Sequence, residues 1–127
     1  LGPVLFQTPP HLPRNDERLA EFLAALPADL SPVFEFRNES WFDQEVYEML
    51  GASGAGLVLS ETDDNAVPDV VTAPVLYLRL RKTEYSDAEL AEWAARMQAT
   101  EADDVWAYLK HEDASPELAQ ALRSHLG

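Results

Sequence analysis

Apolar residues recur along this chain with two periods, and the two periods alternate. Runs of strand type cover Val4–Gln7 and residues 33–37, 57–60, 75–81 and 105–110. Between them a period near 3.6 predicts helices. The first covers 15–26, with Asn15 or Asp16 as its cap and Leu19, Phe22, Leu23 and Leu26 as its apolar stripe. The second covers 43–50, turns Val46, Met49 and Leu50 inward, and is expected to end at Gly51. The third follows Ser86, whose spacing to Glu89 is that of a capping box, and buries Leu90, Trp93, Ala94 and Met97. A fourth opens with Ser115-Pro116 and carries Leu118, Ala121, Leu122 and Leu126. One connection differs. The stretch between residues 60 and 75, "ETDDNAVPDVVTAP", has no helical stripe, so an irregular or short crossover is expected there.

Strands alternating with helices imply βα units, a parallel sheet and an α/β fold. The strand interiors decide which kind. In a doubly wound sheet, helices cover both faces and the strands are apolar throughout. Here "VFEFR" sets Glu35 and Arg37 on one face against Phe34 and Phe36 on the other. "VLYLRLR" sets Tyr77, Arg79 and Arg81 against Leu76, Leu78 and Leu80, and "VWAYLK" sets Trp106, Tyr108 and Lys110 against Ala107 and Leu109. Inward faces that grow more charged toward the carboxyl ends of the strands are those of a β/α barrel mouth.

At 127 residues the chain is sized for one domain, and 46% hydrophobic content supports a real core. With 23 acidic and 9 basic residues the net charge is −14. Nucleic-acid binding needs clustered Lys and Arg, and anionic membrane surfaces attract the same residues, so neither partner is expected. No apolar run reaches membrane-span length, and cytoplasm is the default location. The absence of cysteine excludes disulfides and thiol catalysis. The chain opens directly in a strand-like run without methionine, and is read as cut from something longer.

Four stretches together resemble the YecE-like family, also called the domain of unknown function family 72. They are "GPVLFQTPP", "EFRNESW" (the family's E-F-R-H-x-S-W pattern), "YLRLRKTEY" followed by Trp93, and "VWAYLKHED" followed by an alanine-rich helix. The resemblance covers essentially the whole chain, in order. It implies a TIM-like (β/α) barrel without an established activity, of which residues 1–127 would be the C-terminal five-strand portion, the N-terminal strands being missing. Glu35, Arg37, Trp41, Arg79 and Tyr108 match the family pattern and carry over as site candidates. The chain departs from it at Asn38, where the family often has His, and at Arg81-Lys82, where many members show His-Gly. A histidine acid or base at those positions is therefore absent.

The candidate site is a barrel mouth built from Gln7, Glu35, Arg37, Glu61, Arg79, Tyr108 and Lys110, with Trp41 in the following loop. On the functional reading, Arg37 and Arg79 hold a small polar or anionic molecule, and Glu35 is the catalytic acid or base. On the other reading the same charges are a structural ion network in a non-catalytic binding or regulatory barrel. Trp41 either stacks on a ligand or staples the second helix to the barrel. "ETDDN" is read as a solvated turn rather than a cation loop, and no motif specifies a metal or a cofactor. His11, His111 and His125 show no zinc spacing, and His111, although it ends the last strand, is read as a surface or loop residue. "GASGAG" follows a helix and precedes a strand, the reverse of a phosphate loop, and is read as an αβ connection. A partial barrel exposes two sheet edges, so self-association is an expected property.

Overall fold

The computed structural model describes residues 3–64, 67–100 and 102–109. Its strands are β1 (Val4–Gln7), β2 (Pro32–Glu35), β3 (Gly56–Glu61), β4 (Val75–Leu80) and β5 (Asp104–Leu109). Helix α1 (Asp16–Ala25) follows β1, α2 (Gln44–Ala52) follows β2, and α3 (Asp87–Ala99) follows β4. All neighbouring strands are parallel, and their order in the sheet is β1-β2-β3-β4-β5. That order has no reversal, as a doubly wound sheet would have. The helix expected from Ser115, together with Asn65, Lys110, His111 and His125, lies outside the described residues.

The two faces of the sheet are unequal. Phe34, Phe36, Leu57, Leu59, Leu76, Leu78 and Leu80 point to the helices and meet Leu19, Val46, Leu50, Leu90, Trp93, Ala94 and Met97 in the main core. The opposite, inner face holds a smaller apolar cluster of Val33, Val58 and Tyr77, flanked by Leu5 and Val75. The strand parity read from the sequence therefore holds in β2, β4 and β5. On the inner face Gln7 is level with Glu35, and Ser60, Arg79 and Tyr108 form one row.

Local chemistry explains the helix boundaries. The Asn15 side chain accepts from the Arg18 N–H, and the Asp43 side chain from the Glu45 N–H. At α3 both halves of the Ser86–Glu89 capping box form. The second helix corrects an expectation: it runs through Gly51 to Ala52. Gly54, with φ of 71°, takes the left-handed conformation that reverses the chain, while the Gly51 backbone is helical and packs near the Thr72 carbonyl. Between β3 and β4 no helix forms among the described residues, as its pattern implied. No helix of the described residues is long and apolar enough to cross a membrane.

The start of α3 also carries a pH dependence. The Lys82 ammonium hydrogen-bonds the Glu89 carboxylate, and with the Ser86 backbone N–H it holds that carboxyl down at about 2, against an ordinary 4.5. A depressed carboxyl stabilises the fold fully above its unfolded value and loses that contribution as pH falls through its folded value. The pair lies at the surface, so screening keeps the effect small. Glu89→Gln should lower stability at neutral pH in low salt, and its difference from the parent should vanish between pH 4.5 and 2. Denaturant unfolding across that window checks this; a difference that ignores pH would assign the loss to packing.

Candidate functional site

Glu35 ends β2 on the inner face and is 2% exposed. Taking a carboxylate that far from water costs several kcal/mol unless charge and hydrogen bonds offset it. Here both kinds of partner converge on one oxygen. Oε1 accepts from Gln7 Nε2 at 2.5 Å and from Arg79 Nη1 at 2.5 Å. Gln7 comes from the adjacent strand, level with Glu35. Arg79 comes from β4, where it pairs with Ser60, so its side chain crosses β3 to reach β2. Val58 lies on that inner face of β3 and carries no polar group to compete. The other carboxylate oxygen, Oε2, is buried and has no partner among the described residues.

Glu35 forms part of the wall of a cleft of about 230 Å³ at the carboxyl ends of β2, β3 and β4. Arg37 and Arg81 line the same cleft from its two sides, with Ser60 of the central strand and Thr62 just beyond its end between them. Arg37 is exposed and Arg81 half-buried, and among the described residues neither guanidinium has an acidic partner. Phe42, Val58 and Pro68 supply an apolar side. With the Glu35 charge matched by Arg79, and Glu39 on the rim set against Arg37 and Arg81, the cleft keeps one surplus positive charge in a chain of net charge −14.

The rims are tied to one another. The Asn38 side chain donates to the Pro10 carbonyl at 3.0 Å, and the Arg14 backbone N–H donates to Ser40 Oγ at 2.7 Å, joining the loops after β1 and β2. The Thr83 N–H donates to Asp63 Oδ1 at 3.0 Å, and its hydroxyl donates to Oδ2, joining the loops after β3 and β4. Asp63, read from the sequence as part of a solvated turn, is thus a loop tether.

The structure brings together Gln7, Glu35 and Arg79, and sets Arg37 two residues beyond Glu35 in the same cleft. Tyr108 flanks this group, next to Arg79 on β5 and 48% exposed, its ring 5.4 Å from that of Tyr77. Burial, then the neighbouring Tyr108 phenol, raises the Tyr77 hydroxyl above its ordinary value. Two expected mouth residues lie elsewhere. Glu61 faces the helices: its Oε1 accepts from the buried Trp93 indole N–H at 3.1 Å. Alternation already implied this, because Glu61 shares parity with Leu57 and Leu59 of the main core. Trp41 is 3% exposed, stacks on Phe36 with centroids 4.6 Å apart, and donates its indole N–H to the Leu12 carbonyl at 2.9 Å. It is a staple in the core and presents no open face for a ligand. Lys110 is outside the described residues. Arg81, Ser60 and Thr62 were missed as site residues, although Arg81 shares the face of Tyr77 and Arg79.

Comparison with known proteins places this geometry in a family. A family model described as "Protein of unknown function DUF72" matches residues 1–127. A crystal structure of a DUF72 family protein from Enterococcus faecalis superposes with a TM-score of 0.83 at 19% identity, covering 98% of this chain and 60% of that one. One from Thermotoga maritima superposes with a TM-score of 0.77 at 19% identity, covering 94% of this chain and 54% of that one. The chain therefore spans a little over half the length of these relatives. No curated protein matches it. At such identities the superpositions speak for the fold, and the family model for membership: the chain belongs to the DUF72 family.

Proposed function

We propose that this chain is the C-terminal portion of a TIM-like barrel whose strand ends bind a small anionic ligand, with Glu35 as the group that moves a proton there. The observation that supports this is the asymmetry of the Glu35 carboxylate. Gln7 and Arg79 hold Oε1 and so fix the plane of the carboxylate, while the buried Oε2 has no donor among the described residues and lies beside a cleft. An unsatisfied buried acceptor costs about 1–3 kcal/mol, which a ligand donor would offset. A carboxylate oriented by fixed donors, with one oxygen left without a donor among the described residues, suits general acid–base chemistry such as isomerisation, elimination or hydrolysis. Arg37 and Arg81 would hold the anionic end. This reading includes no nucleic-acid or membrane partner, on the grounds of acidic charge, and keeps the cytoplasm as the default location.

The second reading, a non-catalytic barrel with a structural ion network, draws on the same two bonds to Oε1, which already compensate the buried charge. Arg81 separates the two, because it lines the cleft and has no ion-pair partner among the described residues to lose. Thermal unfolding should be followed with pooled anionic metabolites and divalent cations, for the parent and for Arg81→Met. Ligand at 100 times its dissociation constant adds about 2.7 kcal/mol, a rise of several degrees in midpoint. The expected result is a rise with one anionic pool that Arg81→Met removes while leaving the unliganded midpoint nearly unchanged. A panel without any shift would favour the ion network.

A further inference from the structure

We infer that the ligand of this cleft is a small hydroxylated anion, its oxyanion group between Arg37 and Arg81 and its hydroxyl donating to Glu35 Oε2. The inference rests on the reading that the cleft is a ligand site, and it names what that site selects.

The charge requirement comes first. Arg37 leaves the end of β2 and Arg81 the end of β4, one on each side of β3, and the Arg81 backbone N–H donates to the Glu61 carbonyl at 2.8 Å. Two inter-strand spacings put their backbones roughly 10 Å apart. Long guanidinium side chains can close on a single anion across that gap. Arginine forks match the paired oxygens of a carboxylate or a phosphate, and neither of the two is ion-paired among the described residues, although the Glu39 carboxylate also lines the cleft.

The polarity of the other end follows from Glu35. An ionised carboxylate oxygen only accepts, so the group facing Oε2 must donate. An ammonium would donate too, but it would enter beside Arg37, Arg79 and Arg81, with the Glu35 charge already matched by Arg79 and only Glu39 left to offset the other two. Three guanidiniums disfavour a further cation, and a neutral hydroxyl escapes that repulsion. Size and shape complete the description. At about 230 Å³ the cleft is smaller than the roughly 300–1,000 Å³ of drug-sized ligand sites, so the ligand is a small metabolite. Phe42, Val58 and Pro68 cover a short carbon skeleton. A hydroxy acid and a phosphorylated polyol both satisfy this chemistry.

Two matched pairs test the inference on the full chain by NMR titration: lactate against propionate, and glycerol 3-phosphate against propyl phosphate. In at least one pair the hydroxylated member should bind about tenfold tighter, the effect of a hydrogen bond to a charged acceptor. Which pair responds identifies the oxyanion. Arg81→Met should weaken both members of that pair by a similar factor. Glu35→Gln replaces the charged acceptor with a neutral amide, from which a hydroxyl can still accept, and should cut the hydroxyl preference to the few-fold effect of a neutral hydrogen bond while leaving anion binding. The comparison within a pair needs no variant, so it decides the matter even where a Glu35 variant fails to fold. Equal affinity within both pairs overturns the hydroxyl assignment and leaves the anion site standing. No binding by any of the four overturns both.

Discussion

Replacing Arg79 by methionine should cost the fold about 3–5 kcal/mol, the usual result of stripping one partner from a buried ion pair. The reason lies with the residue left behind. Glu35 is 2% exposed, and without Arg79 its carboxylate keeps a single neutral donor, the Gln7 amide, against the full cost of burial. Denaturant unfolding should show a lower midpoint with an unchanged slope. The double variant Arg79→Met/Glu35→Leu should recover most of the loss, because an apolar pair of similar volume removes the orphaned charge as well. A single-variant loss under about 1 kcal/mol, the range of exposed pairs, would show that water reaches Glu35 freely and that the site is open rather than dry. Arg79 is consequently a poor probe of ligand binding, since its removal disturbs the fold; Arg81 is the cleaner one.

Trp41→Ala should be comparably damaging, about 3–5 kcal/mol, as for other buried tryptophans. The ring is sandwiched into the core against Phe36, and its indole N–H satisfies the Leu12 carbonyl, so truncation loses packing and a hydrogen bond together. Trp41→Phe keeps an aromatic ring and loses the donor, and should cost about 1 kcal/mol for that bond plus the smaller ring's packing deficit. Urea unfolding of the two variants separates these contributions. A residue that stacked on ligand through an exposed face would behave differently, changing stability by no more than about 0.5 kcal/mol while weakening binding.

Much of this was legible in the sequence, and the reasons differ by residue. The third helix was readable because its cap, its partner Glu89 and its stripe of Leu90, Trp93, Ala94 and Met97 are all local signals, independent of anything far along the chain. The inward placement of Glu35 and Arg79 was readable because alternation assigns a face without knowing the neighbours. Glu61 sits at a strand end, which suggests the mouth, but the same alternation assigns it to the helix-facing side with Leu57 and Leu59. The two readings of Trp41 stay undecided in the sequence, and the end of the second helix is misplaced at Gly51, for another reason. The partner of Trp41, the Leu12 carbonyl, lies 29 positions away, and no local pattern reports it. Whether a helix stops at Gly51 or runs on to Ala52 depends on whether Gly51 or Gly54 turns left-handed, and both glycines are equally permissive. The meeting of Arg79 with Glu35 depends on the stagger of three strands, which parity does not supply.

The tethers across the loops bear on how such a mouth would work. Asn38 and Ser40 bind the loop after β1 to the loop after β2, and Asp63 binds Thr83 across the exits of β3 and β4. Loops held in this way have already surrendered much of their conformational entropy during folding. A ligand entering the cleft would have little left to order, so its affinity would be taxed mainly by its own lost freedom. Its arrival would then depend on diffusion and on the surplus positive charge, rather than on waiting for a loop to close.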